Sequence, residues 1–65
     1  MTYSEAVLAL RHKMILSQVE FAREIGVSYM TIIRWEKGKF NPTLKAKRKL
    51  MPLFEKYGII LEDTI

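Results

Sequence analysis

The chain has 65 residues, no Cys, a single His, and a net charge of +4 from 11 basic and 7 acidic side chains. That length suits one small domain near the lower limit for folding alone, and the lack of Cys excludes disulfides and thiolate metal sites. No apolar run approaches the roughly 20 residues of a membrane span and no leader is visible, so a soluble, cytoplasmic domain held together by packing is expected.

Thr2 with Glu5 forms a capping-box pattern, which predicts a first helix over about residues 3–13. Val7, Leu10 and Met14 recur along it at helical spacing. Ser17 with Glu20 repeats the capping box and opens a second helix, with Phe21, Ala22 and Ile25 on one side. Gly26 ends that helix, free to take the left-handed conformation. Ser28 is placed to cap a third helix, which runs to Lys37 and stops at Gly38. Asn41-Pro42-Thr43 makes a turn and starts the fourth. There Ala46, Leu50, Leu53 or Phe54, and Tyr57 supply an apolar stripe. Pro52 lies inside this stripe and is expected to kink or break the helix, because its ring displaces the carbonyl of Arg48. Gly58 ends the helix, and the tail IILEDTI has room for one more turn. The pattern is all-α, a single domain over residues 1–65, with no repeats or linkers.

The charge is unevenly spread. Residues 1–33 are neutral overall and residues 50–65 carry −2. Residues 34–49 hold seven cations, Arg34, Lys37, Lys39, Lys45, Lys47, Arg48 and Lys49, against Glu36 alone, for +6. A positive field confined to the middle of the chain fits a polyanion, although a solvated helix face carries charge runs too. Catalysis finds no support. His12 stands alone, there is no Gly-rich phosphate loop, and no paired acids share an apolar face. No enzyme activity, metal, cofactor, membrane contact or small-molecule ligand is expected.

Helices 2 and 3, with the tight turn at Gly26, span about 20 residues. Two short helices joined this closely cross steeply, as in a helix-turn-helix unit. Ala22 is small where they approach, and Phe21, Ile25, Val27, Ile32 and Trp35 supply the apolar positions that lock the pair. The stretch SQVEFAREIGVSYMTIIRWEKGKFNPT resembles the Cro and lambda-repressor-type helix-turn-helix, the Xre-like regulators. The resemblance rests on Ser17-Gln18, Phe21-Ala22, Gly26-Val27-Ser28, Thr31-Ile32, Trp35-Glu36-Lys37-Gly38 and Asn41-Pro42, and covers about residues 4–57. It implies a compact four- to five-helix lambda-repressor-like bundle with the motif at residues 17–38 and a C-terminal helix and tail at 43–65. It further implies a transcriptional regulator, of the small prokaryotic or phage repressor type. Such regulators lay helix 3 in the DNA major groove and bind operator DNA as dimers. The same fold also serves as an antitoxin or protein-interaction module, which is the alternative reading.

At about 100° per residue, Ile32 and Trp35 face inward on helix 3, while Met30, Ile33, Arg34 and Lys37 face outward with Tyr29 on the flank. Met and Ile beside cations make a poor solvent face but suit base edges, where apolar groups meet thymine methyls. Ser28, Tyr29, Met30, Ile33 and Arg34 are therefore the base-contact candidates. Arg34 is suited either to guanine or to a phosphate. Gln18 matches the family's glutamine that holds a phosphate, and Thr31, Lys37, Lys39 and Asn41 are further phosphate candidates. Lys45, Lys47, Arg48 and Lys49 are candidates for long-range attraction but cannot all face the DNA, since consecutive helical residues point in different directions.

On helix 1, Arg11 falls inside the apolar arc of Val7, Leu10 and Met14, where an unpaired cation would be costly. Glu36 sits similarly beside Ile32. The family carries a buried Arg–Glu pair between these helices, so the resemblance implies an Arg11–Glu36 salt bridge. Two features depart from the family pattern. Ile15 stands where Gly is frequent, and a β-branched residue resists the left-handed conformation, so the joint between helices 1 and 2 is expected to differ in shape. Recognition-helix glutamines are absent, with Tyr29 and Met30 in their place. Ile59, Ile60, Leu61 and Ile65 are candidates either for a dimer interface or for closing the core.

Overall fold

The computed structural model describes residues 1–61, so Ile65 and the end of the tail lie outside the described residues. The chain is all-α: α1 is Tyr3–Met14, α2 Gln18–Ile25, α3 Tyr29–Glu36 and α4 Leu44–Lys56. Each helix starts on a side-chain cap. Thr2 and Ser17 form full capping boxes with Glu5 and Glu20. Ser28 and Thr43 accept single backbone bonds from Thr31 and Ala46. These contacts satisfy N–H groups that the first turn of a helix leaves without partners.

The C-termini share one device. At the cap or one residue past it the chain turns left-handed, and the next N–H reaches back five residues. Val27 N–H donates to the Ala22 carbonyl at 3.0 Å, Lys39 to Arg34 at 3.0 Å and Ile59 to Phe54 at 2.8 Å. In these three the left-handed residue is glycine: Gly26, Gly38 and Gly58. At the end of α1, Leu16 N–H donates to the Arg11 carbonyl at 3.2 Å in the same way, but the left-handed residue is Ile15, with φ 56° and ψ 48°. The expected change of shape at this joint does not occur. The fold demands the Gly-type turn, and the β-branched residue adopts it with its side chain in solvent.

Inward faces meet in one core. Val7 and Leu10 of α1, Phe21 of α2, Ile32 of α3, and Leu50 and Phe54 of α4 are at most 1% exposed. Burying each such side chain contributes about 1.5–3 kcal/mol. The core settles the choice at residues 53 and 54: Phe54 is buried and Leu53 only partly so. α3 packs on both α1 and α2, and α4 also packs on α1 and α2. α4 runs unbroken through Pro52, so the expected break is absent. Pro52 is exposed, and the buried Leu50 and Phe54 hold the helix on either side of it. The helix forgoes only the bond that Pro52 cannot donate to Arg48.

No further helical turn follows α4 among the described residues. Instead the extended segment after Gly58 folds back. Ile59 and Leu61 are 7% and 8% exposed and close the chain's own core, while Ile60 points out at 80%. The N-terminal ammonium donates to the Ile60 carbonyl at 3.2 Å, and Lys13 Nζ donates to the Tyr57 carbonyl at 2.9 Å. The first bond holds this segment beside the start of α1, and the second ties the end of α4 to α1.

Candidate nucleic-acid interface

The position of α3 is set by one polar junction. Arg11 donates through Nε to Glu36 Oε2 at 2.7 Å and through a second nitrogen to Oε1 at 3.2 Å, a two-point ion pair. Its third nitrogen donates to the Leu16 carbonyl at 3.1 Å, within the α1–α2 joint. Gln18 Nε2 donates to Glu36 Oε1 at 2.9 Å, and Ser4 Oγ donates to the Glu36 backbone carbonyl at 2.7 Å. The last residue of α3 thus holds α1, α2 and the joint between them. The two charged side chains are 14% and 9% exposed. That is enough desolvation to strengthen the pair, with hydrogen bonds on both carboxylate oxygens to offset its cost.

With Ile32 and Trp35 anchored at 0% and 4% exposure, the rest of α3 has a defined outer side. Tyr29 and Met30 are 45% and 49% exposed, Arg34 and Lys37 are exposed, and Ile33 and Thr31 are half-buried. Ser28 is exposed but occupied: its hydroxyl accepts from Thr31 N–H at 3.2 Å and lies 2.8 Å from the Thr31 hydroxyl. Gln18 is half-buried at the start of α2 and already spends one amide N–H on Glu36. Lys39 and Asn41 are exposed on the segment between α3 and α4.

Phe40 was not singled out by its sequence position, yet it belongs with this group. It is 60% exposed, and the Arg34 guanidinium lies 5.8 Å from its ring centroid. Such stacking orients the guanidinium without neutralising it. Thr31, Arg34, Trp35, Phe40, Asn41 and Thr43 line a recess of about 270 Å³ between α3 and the start of α4. Three of the expected phosphate or base contacts, Thr31, Arg34 and Asn41, therefore share one depression. The signal for Phe40 was faint. It lies six residues beyond Arg34, across the Gly38 turn, where helical periodicity no longer applies.

Two short helices joined by a tight turn at Gly26 and packed together, the second with a buried inner side and an open outer side, define a helix-turn-helix module. The helix-turn-helix family model HTH_3 matches residues 7–51, and the chain belongs to this Xre/Cro-like family. An uncharacterized HTH-type transcriptional regulator of Methanocaldococcus jannaschii is 44% identical over 48 residues, 74% of this chain and 68% of that protein. Two uncharacterized HTH-type transcriptional regulators of Archaeoglobus fulgidus are 43% and 41% identical over 44 residues, 68% of this chain in both cases. The chain spans 62% and 63% of those two. No solved structure matches the chain.

Proposed function

We propose that the protein is a sequence-specific regulator of transcription that binds double-stranded DNA, of the small repressor type. The matched segment and the relatives, which are HTH-type transcriptional regulators, support the class. The observation that carries the reading is the outer side of α3. Tyr29, Met30 and Arg34 stay exposed on a helix whose inner side is fully anchored. In this reading residues 28–37 enter the major groove, with Ser28, Tyr29, Met30, Ile33 and Arg34 on base edges. Gln18, Thr31, Lys37, Lys39 and Asn41 hold phosphates. Two copies bind adjacent half-sites, in the cytoplasm, with binding rather than catalysis as the activity and with no cofactor. The whole of residues 1–65 acts as one DNA-binding domain. Ile59 and Leu61 lie in the core and are not available as interface groups; of the described tail residues, Ile60 remains exposed.

A selection from random duplexes tests this. An enriched, thymine-containing site with two-fold symmetry is the expected result, since Met30 and Ile33 suit methyl groups. No enrichment over the starting pool would overturn it. One observation favours a second reading, an antitoxin or interaction module. Phe40 and Leu44 are 60% and 68% exposed, more apolar surface than a phosphate contact requires. A protein partner whose binding is insensitive to salt would favour that reading, because phosphate contacts release counterions and phosphate-dependent binding weakens with salt.

A further inference from the structure

The cations of α4 are not equivalent. Lys47 Nζ lies 5.0 Å from the ring centroid of Tyr3, on the side of α1. Lys56 Nζ lies 5.7 Å from that of Tyr57, at the far end of the helix. Lys45 and Lys49, one turn apart, face the α2–α3 turn instead. With Gly26, Val27 and Thr43 they line a recess of about 280 Å³, floored by Ile25 and Ala46. The Lys49 ammonium lies 3.9 Å from where a Cβ on Gly26 would stand. Thr43 also lines the recess that holds Arg34 and Asn41. Both depressions therefore border the start of α4. One borders the entry to α3, and the other borders its middle. No acidic side chain lines either of them.

We propose that the two recesses form one furrow that seats a single sugar-phosphate strand of duplex DNA across the N-terminus of α4. Lys45 and Lys49 take phosphates on the side of the α2–α3 turn, and Thr31 and Asn41 take them on the other, beside the base-reading Arg34. The inference rests on the DNA-binding reading above and adds two contact residues that the pattern of the helix alone could not select. The chemistry suits a phosphodiester strand. Ammonium groups bind phosphates as point charges, the apolar floor accepts a deoxyribose, and no carboxylate repels the strand. It also divides the basic helix. Lys45 and Lys49 contribute to binding, whereas Lys56, about 16 Å along the axis from Lys45, lies more than a Debye length away at physiological salt.

The test is a salt titration of the full chain on a short duplex of random sequence, followed by fluorescence anisotropy. Wild type is compared with Lys45→Gln, Lys49→Gln and Lys56→Gln, three variants with the same change in charge. Each of the first two should lower the magnitude of the slope of log K against log salt by roughly 0.9, or about eightfold in affinity at 0.1 M salt relative to 1 M. Lys56→Gln should keep the wild-type slope, and Lys49→Arg should restore it. Circular dichroism melts establish that each variant is folded. Unchanged slopes for folded Lys45→Gln and Lys49→Gln would overturn the furrow while leaving DNA binding intact. So would weaker binding without a slope change, or an equal loss in Lys56→Gln. Failure of the wild type to bind any duplex would instead remove the DNA-binding reading, and the furrow with it.

Discussion

Ile15 occupies a conformation suited to glycine while its side chain is 88% exposed. The left-handed region costs a non-glycine residue about 1–2 kcal/mol, and an exposed side chain recovers little of that by burial. Ile15→Gly should therefore stabilise the protein by about 0.5–1 kcal/mol, after the entropy that glycine loses on folding. A rise in melting temperature of several degrees, read by circular dichroism, is the expected outcome; a fall would show that the Ile15 side chain contributes more by packing than its backbone conformation costs. Glu36 is the opposite case, a side chain with every oxygen in use. Glu36→Ala strands Arg11 at 14% exposure and removes the partner of Gln18. A loss of about 2–4 kcal/mol is expected in urea unfolding. Arg11→Met strands the Glu36 carboxylate at 9% exposure with only Gln18 beside it and should cost a similar amount, whereas Arg11→Met combined with Glu36→Gln should cost less than either single charge removal.

The helices owe their ends to short polar devices, and two of these respond to pH. Bonds from the Thr2 backbone and hydroxyl hold the Glu5 carboxyl below its ordinary value of 4.5, and the Ser17 backbone and hydroxyl do the same for Glu20. A carboxyl whose pKa is lowered by folding adds stability that is fully present above 4.5 and is lost as the pH falls through the lower, folded value. Melting temperature should therefore drop below pH 4.5, and Glu20→Gln, which keeps the capping geometry without a titrating group, should drop less. Equal drops in both proteins would detach the effect from the α2 cap. α4 shows how packing overrides local chemistry. Its Pro52 lacks a donor, yet Leu50 and Phe54 are both buried and carry the helix past it. Pro52→Ala should restore the bond to Arg48 and stabilise by about 1–2 kcal/mol, measured in the same urea unfolding.

The molecule as a whole presents α3 on a frame tied at its last residue. Binding should divide into terms that specify and terms that only attract. Arg34→Ala should relax the preference at one base position of the selected site, whereas Lys39→Ala should weaken every duplex alike and reduce the salt slope by about 1. If Arg34→Ala behaved like Lys39→Ala, the guanidinium stacked on Phe40 would be a phosphate clamp rather than a base reader. Pairing belongs to the same level. Ile59 and Leu61 are consumed by the core, so light scattering should find little dimer off DNA, and two copies should assemble on the half-sites.

The helices were legible in the sequence because their signals are local. Thr2-Glu5 and Ser17-Glu20 spell out caps, Gly26, Gly38 and Gly58 spell out ends, and the spacing of Ile32 and Trp35 assigns the inner side of α3. Such signals need only neighbours within a turn of helix. The rest depended on groups far apart along the chain. A left-handed Ile15, an unbroken helix at Pro52 and a tail folded into the core run against local preference, and long-range burial decides them. Periodicity put Lys45 and Lys49 on one face of α4 and Lys47 on the opposite one, but it could not say what each face meets: the α2–α3 turn for the first two, Tyr3 for the third. That depends on how α4 crosses the other helices, a property of the packed bundle and not of any single segment.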